Sequence, residues 1–181
     1  MTGLDQRVLL APDDASLGPL LRLAEDRLPP GGRYGRHEHR AVDVVAIVLA
    51  GELRHEWAVG AALVAGDVAV LRAGSGMEHD EAAGDAGARV LQCYLRAADP
   101  GAAPAHEVHR AVSGWVDLHR PDARLWVARL VSGVPVEVPP GLLVARGVDG
   151  VLVEQQEGRT VEEPGLVLVW QLDAARPAWA D

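Results

Sequence analysis

The sequence predicts an all-β fold of two units in series, the second one reduced. Three observations carry this expectation. Short apolar runs rich in Val, Leu and Ala recur at even spacing, each punctuated by Gly or Pro, which is the pattern of a sandwich or barrel and not of alternating strands and helices. A stretch of Ala, Asp, Pro and Gly at residues 97–104 then interrupts the series as a linker does. A second, shorter series follows it, so the expected units are residues 1–104, with the chemistry, and residues 105–181, a shortened copy of the architecture.

Taken in order, the apolar residues between Asp5 and Asp26 fit helical and extended readings alike, and residues 17–28 alone would pass as an amphipathic helix. After the Pro29-Pro30-Gly31-Gly32 break the pattern sharpens. Residues 42–49 form a β-branched run, Gly51-Glu52 reads as a tight turn, and residues 53–57 as the returning strand. Further strands are expected at 61–65, 68–71, 77–81 and 89–95, with turns at Gly66-Asp67 and Gly74-Ser75-Gly76. Beyond the linker the expected strands are 123–131, 134–138, 142–145, 151–154 and 166–172.

Composition removes several function classes. A net charge of −9, with no lysine in 181 residues and no long basic run, opposes binding to a phosphate backbone, so no nucleic-acid partner is expected. Cys93 is the only cysteine, which rules out an intrachain disulfide and a CxxC zinc site. It stands in a strand-like run with nothing basic nearby, so a buried, inert thiol is expected. No basic-then-apolar leader opens the sequence, and no apolar run reaches the roughly 18 residues that a membrane span needs. A soluble, cytoplasmic protein is expected.

The chemistry lies in two short patterns, His37-Glu38-His39 and His79-Asp80-Glu81. On a strand, residues i and i+2 share a face, so each pattern sets two ligand-type side chains side by side and turns Glu38 and Asp80 the other way. The intervening strands can bring the two pairs together. Three neutral imidazoles and one carboxylate would leave a divalent ion with open positions for water, dioxygen or a bidentate substrate. Ligand type alone fits iron, manganese, copper, nickel or zinc. Glu81 also reads as a base, since a carboxylate beside an open metal position can take a phenolic proton.

Gly-Arg-His-Glu-His-Arg, Leu-Ala-Gly-Glu-Leu-Arg-His, Ala-Gly-Asp-Val and Ala-Gly-Ser-Gly-Met-Glu-His-Asp-Glu resemble the motifs of the pirin family of bicupins. The resemblance runs from about Gly31 to Leu95 and is thin beyond. It implies two tandem cupin-like β-barrels, the C-terminal one reduced and without metal ligands. It places the family's iron ligands on His37, His39, His79 and Glu81, with Fe(II) as the implied ion. Its implied activity is that of a mononuclear iron dioxygenase of the quercetinase kind, acting on a flavonol or related enol or phenol. The alternative it implies is a metal-dependent regulatory protein that works on a protein partner without turnover. The sequence departs from the family pattern at Glu38, at Ala41-Val42-Asp43-Val44 and at residues 57–60, which changes the wall of the site but not its ligands.

The remaining candidates have plainer readings. His55 is expected as a partly exposed strand residue, with orientation of a ligand or substrate as its other reading. His106 and His109 have i, i+3 spacing in a Pro/Gly-rich neighbourhood and lack a third ligand, so they are not read as a zinc site. His119 is expected in a loop, Arg36 and Arg40 at the solvated surface, and Trp57, Trp126 and Trp170 in packed strands.

Overall fold

The computed structural model describes residues 3–58, 60–147 and 150–173. Every helix or strand among them is a strand, and the chain divides into two compact units. Among the described residues no helix is long and apolar enough to cross a membrane.

The first unit holds residues up to Ala15 and Leu20–Ala111. Its strands are β1 (Asp5–Leu10), β2 (Leu20–Leu28), β3 (His37–His39), β4 (Val42–Glu56), β5 (Ala61–Val64), β6 (Val68–Arg72), β7 (Met77–Arg96) and β8 (Ala105–His109). They form one antiparallel sheet in the order β1-β2-β7-β4-β6-β8, with β3 added to β7 and β5 to β4. The path of paired strands does not close on itself. Within the residue 17–28 segment, Leu20–Leu28 is extended because β2 pairs with β7 from Leu20↔Leu95 to Leu28↔Ala88, and that tertiary pairing outweighs local helical preference.

Two expected breaks are absent. Residues 42–57 were expected as two strands around a turn, and 77–81 and 89–95 as separate strands, but β4 and β7 each run unbroken for 15 and 20 residues. The physical reason is visible at Gly51. Its φ is +74°, and a Cβ there would lie 2.0 Å from the carbonyl oxygen of Gly87. The glycine therefore permits two backbones to touch while the register shifts between Val48 and Ala50 and between Gly51 and Leu53, which bends the β4–β7 ribbon without ending it. One end of the bent ribbon builds the core, with Val44, Ala46, Val48, Leu71 and Val90 buried together. Each such Val or Leu contributes about 2 kcal/mol by its burial. Cys93 is buried in the same ribbon.

The second unit comprises Ser16–Pro19 and the residues from Val112 onward. After the linker the chain returns to it at Val112, because β8 pairs with β6 of the first unit, Leu71 opposite His106. Its strands are β9 (Gly114–Val116), β10 (Ala123–Leu130), β11 (Val136–Val138), β12 (Gly141–Arg146), β13 (Val151–Gln156), β14 (Arg159–Val161) and β15 (Gly165–Leu172). Five pair in the order β13-β12-β15-β10-β9, and β11 pairs with β14 as a separate ribbon. Val138, Leu143, Val161, Val167 and Val169 form a core cluster, and Trp170 is fully buried. The expected extent of this unit includes residues 174–181, which lie outside the described residues.

Candidate metal centre

The register of three strand pairs assembles the site. β3 lies antiparallel to β7 with His37 opposite His79, Glu38 opposite Glu78 and His39 opposite Met77. Side chains directly opposite one another across such a pair stand close enough to interact, and the i, i+2 rule adds His39 to the same face. On the other flank β4 lies against β7 with His55 opposite Glu81. The turn that starts β7 is fixed by Gly74, whose φ is +47° and whose absent Cβ would fall 2.2 Å from the Ala102 carbonyl oxygen.

The three histidines converge through their Nε2 atoms. His37 Nε2 lies 3.0 Å from His39 Nε2 and 3.1 Å from His79 Nε2. His37 Nδ1 donates its proton to the carbonyl oxygen of Gly35 at 2.7 Å, so in the neutral ring the Nε2 lone pair faces the other two imidazoles. Nitrogen ligands at about 2.1 Å from one ion and at right angles to one another are about 3 Å apart, and the donor set therefore fits a transition metal. Burial, followed by the neighbouring His37, holds His39 down at about 4, and burial with His37 and His39 holds His79 at about 3. Both rings are neutral at physiological pH, as metal ligands must be. Among the described residues this is the only cluster of three or more potential ligands with such geometry.

Glu81 stands beside that cluster and points its carboxylate elsewhere. Its Oε2 accepts a hydrogen bond from Gln92 Nε2 at 2.7 Å. Its Oε1 lies 3.2 Å from His55 Nε2 and 4.0 Å from His79 Nδ1, two buried nitrogens that have no hydrogen-bond partner. Burial pushes the Glu81 carboxyl up to about 8, against the opposing pull of the Gln92 hydrogen bond. His37 Nε2 thus contacts the Nε2 atoms of both His39 and His79, and the Glu81 carboxylate lies one contact further out, beside His79 Nδ1.

The residues between the ligands face outward as the strand alternation requires. Asp80 accepts from Arg33 at 2.7 and 3.0 Å, and Arg33 also reaches Glu56 at 2.6 Å, which ties the chain before β3 to the outer face of the ribbon. Glu38 pairs with Arg40, and Arg36 with Glu78, all four exposed. Two tyrosines form the aromatic side of the site. The Tyr94 ring is 5.7 Å from His39 and the Tyr34 ring 6.4 Å from His37, measured between centroids. Tyr34 donates its hydroxyl to the buried Asp26 at 2.7 Å, and burial first, then Glu81, raises both phenols, Tyr94 to about 12.

His55 departs from its expected place. It is 1% exposed, faces Glu81, and its Nδ1 lies 3.1 Å from Nε2 of His106, on whose ring it stacks. His106 and His109 do not act together, because a strand sends i and i+3 to opposite faces. His106, weighed in the sequence only as a partner of His109, and Gln92, which carries no sequence signal, both border the site. The one available signal for His106 was a histidine in an alternating segment just after a linker. In the second unit, a groove of about 520 Å³ lined by Arg146, Arg159, Glu163 and Leu166 contains no histidine. His119 is exposed near Asp117.

A model of the Pirin family matches residues 11–95. A protein of Zymomonas mobilis named "Putative quercetin 2,3-dioxygenase" is 35% identical over 72 residues, which are 39% of this chain and 31% of that protein. The chain thus matches about a third of that relative's length. A Mycobacterium bovis protein of the same name is 27% identical over 203 aligned positions, covering 90% of this chain and 83% of the relative. The crystal structure of the bacterial pirin YhhW from Escherichia coli, in complex with nickel(II), superposes with a TM-score of 0.73 at 18% identity, covering 96% of this chain and 93% of that one. At that identity the likeness is one of fold, a cupin-type pair of all-β units. The family match falls on the unit that carries His37, His39 and His79, and over residues 11–95 the chain is similar to the pirin family.

Proposed function

We infer that the chain holds one divalent transition-metal ion at His37, His39 and His79 with Glu81 as the fourth group, and that it is a dioxygenase for a flavonol or a related enol or phenol. The observation that carries the metal site is the convergence of three Nε2 atoms at 3.0 and 3.1 Å around a His37 lone pair aimed by Gly35. Iron is the proposed ion because of the motif resemblance and the dioxygenase names of the relatives, although the same imidazole donors suit nickel, which the Escherichia coli pirin structure contains. When bound, such an ion supplies Lewis acidity to a coordinated oxygen and, if iron, electron exchange with dioxygen.

The chain's own residues supply the rest. Glu81 takes the proton of the enol or phenol hydroxyl, a task suited to a buried carboxyl poised near neutral pH. Gln92 holds its Oε2, and Oε1 lies 3.2 Å from His55 Nε2 and 4.0 Å from His79 Nδ1. Tyr34 and Tyr94, neutral because of burial, offer aromatic faces to a planar substrate. Oxygen uptake by metal-loaded protein, measured over a panel of flavonols and simpler enols, tests the reading. Uptake that depends on substrate and disappears in His39→Ala is expected, and no uptake across the panel by protein that retains its metal contradicts it.

A second reading is favoured by the altered wall at Ala41 to Val44, beside the site. Here the metal unit regulates a protein partner without turnover, and partner capture would respond to metal removal.

A further inference from the structure

We propose that His106 is a positioning residue for the metal site, acting through His55 on the Glu81 carboxylate. The inference rests on the metal reading given above. Three contacts form a continuous series: His106 Nε2 to His55 Nδ1 at 3.1 Å, His55 Nε2 to Glu81 Oε1 at 3.2 Å, and Glu81 Oε1 to His79 Nδ1 at 4.0 Å. The rings of His106 and His55 are stacked, with centroids 5.0 Å apart and planes 27° from parallel, and Trp57 packs edge-on against His106 at 6.3 Å. The plane of His55 is therefore set from one side by β8, a strand that follows the linker.

Hydrogen-bond inventory gives the series a direction. Gln92 already donates to Oε2 of Glu81, so an ionised Glu81 beside a cation has Oε1 left to accept, and His55 Nε2 is the buried nitrogen in reach. Donation from His55 Nε2 leaves Nδ1 as an acceptor, and His106 Nε2 is the donor positioned to meet it. Without His106 the Nδ1 atom of a buried ring would lose its partner, and the opposite tautomer would turn a lone pair toward the carboxylate. His106 touches neither the three-nitrogen cluster nor the carboxylate in hydrogen-bond range, so its effect must pass through His55.

The test uses the full chain and nickel(II) as probe, in parent protein, His106→Leu and His106→Gln. Glutamine keeps an amide N–H to donate to His55, whereas leucine keeps only the bulk. Removing a group that orients a metal's surroundings commonly weakens the metal by about 10- to 100-fold. The expected result is a loss of about tenfold or more in nickel affinity for His106→Leu with a shifted ligand-field spectrum. His106→Gln should recover the parent spectrum and an affinity within about threefold. A merely structural role would lower stability in both variants and leave the spectrum of bound nickel unchanged, and that outcome overturns the proposal. Parent-like affinity and spectrum in His106→Leu overturn it as well while leaving the metal reading intact. A parent protein that binds no nickel overturns both.

Discussion

Glu81 stands directly opposite His55 across the β4–β7 pair, with its Oε1 3.2 Å from His55 Nε2 and both side chains shielded from solvent. A carboxyl in that position is protonated near neutral pH in the metal-free protein, because burial raises it to about 8. An ion at the neighbouring histidines favours the ionised form and so displaces the proton. Calorimetry in buffers of different ionisation heat should show about one proton released per ion bound at pH 6.5, falling toward zero above pH 9. Glu81→Gln should release about one proton fewer than the parent at pH 6.5 and the same number above pH 9. A release that does not change with pH would contradict this role for Glu81.

The same groups set how metal-free protein responds to pH. His39, His55 and His79 are held at about 4, 3 and 3, all by burial first, below their ordinary value of 6.5. Their contribution is present above pH 6.5 and is lost as pH falls toward 4. Glu81 is raised, so its contribution is present below its ordinary 4.5 and is lost as pH rises through 8. Urea midpoints of metal-free protein should therefore peak near pH 6.5 and fall on both sides. Glu81→Gln should remove most of the alkaline fall, which is on the order of a few kcal/mol. An unchanged alkaline limb in that variant would refute the assignment.

Tyr34 supplies one of two side-chain hydrogen bonds to Oδ2 of Asp26, the other coming from Gln6 at 3.1 Å. Tyr34→Phe leaves a buried carboxyl, already raised by burial, with one donor fewer. The expected loss is about 1–2 kcal/mol in urea unfolding, with metal stoichiometry unchanged. A neutral substitution would show that Asp26 finds another donor.

The bend in β4 depends on a close backbone approach at Gly51. Gly51→Ala puts a methyl group 2.0 Å from the Gly87 carbonyl oxygen at a φ of +74°. It should destabilise the protein by about 2 kcal/mol or more. Gly31→Ala, at a φ of +66° with open space around it, should lose only about 1 kcal/mol. Equal losses in thermal or urea unfolding would mean that the contact at Gly87 relaxes freely.

The all-β architecture was legible in the sequence because alternating and β-branched runs have a period that survives any loop. The ligand pairs were legible for the same reason, since i, i+2 spacing on a strand dictates a shared face, and His37, His39 and His79 meet accordingly. What could not be read were relations across strands. Gly51 looks the same in sequence whether it turns a chain or lets two backbones touch. His55 and His106 are 51 residues apart, and only the β4–β6 and β6–β8 pairings put their strands in one sheet. The Gln92 contact to Glu81 likewise depends on the two ends of one long bent strand facing each other.

The central claim is that His37, His39 and His79 jointly hold one ion. Elemental analysis of untagged protein alongside His37→Ala tests it most directly. The account predicts about one transition-metal ion per chain in the parent and near-complete loss in the variant. A parent without stoichiometric metal, or a His37→Ala protein that keeps it, would contradict the account.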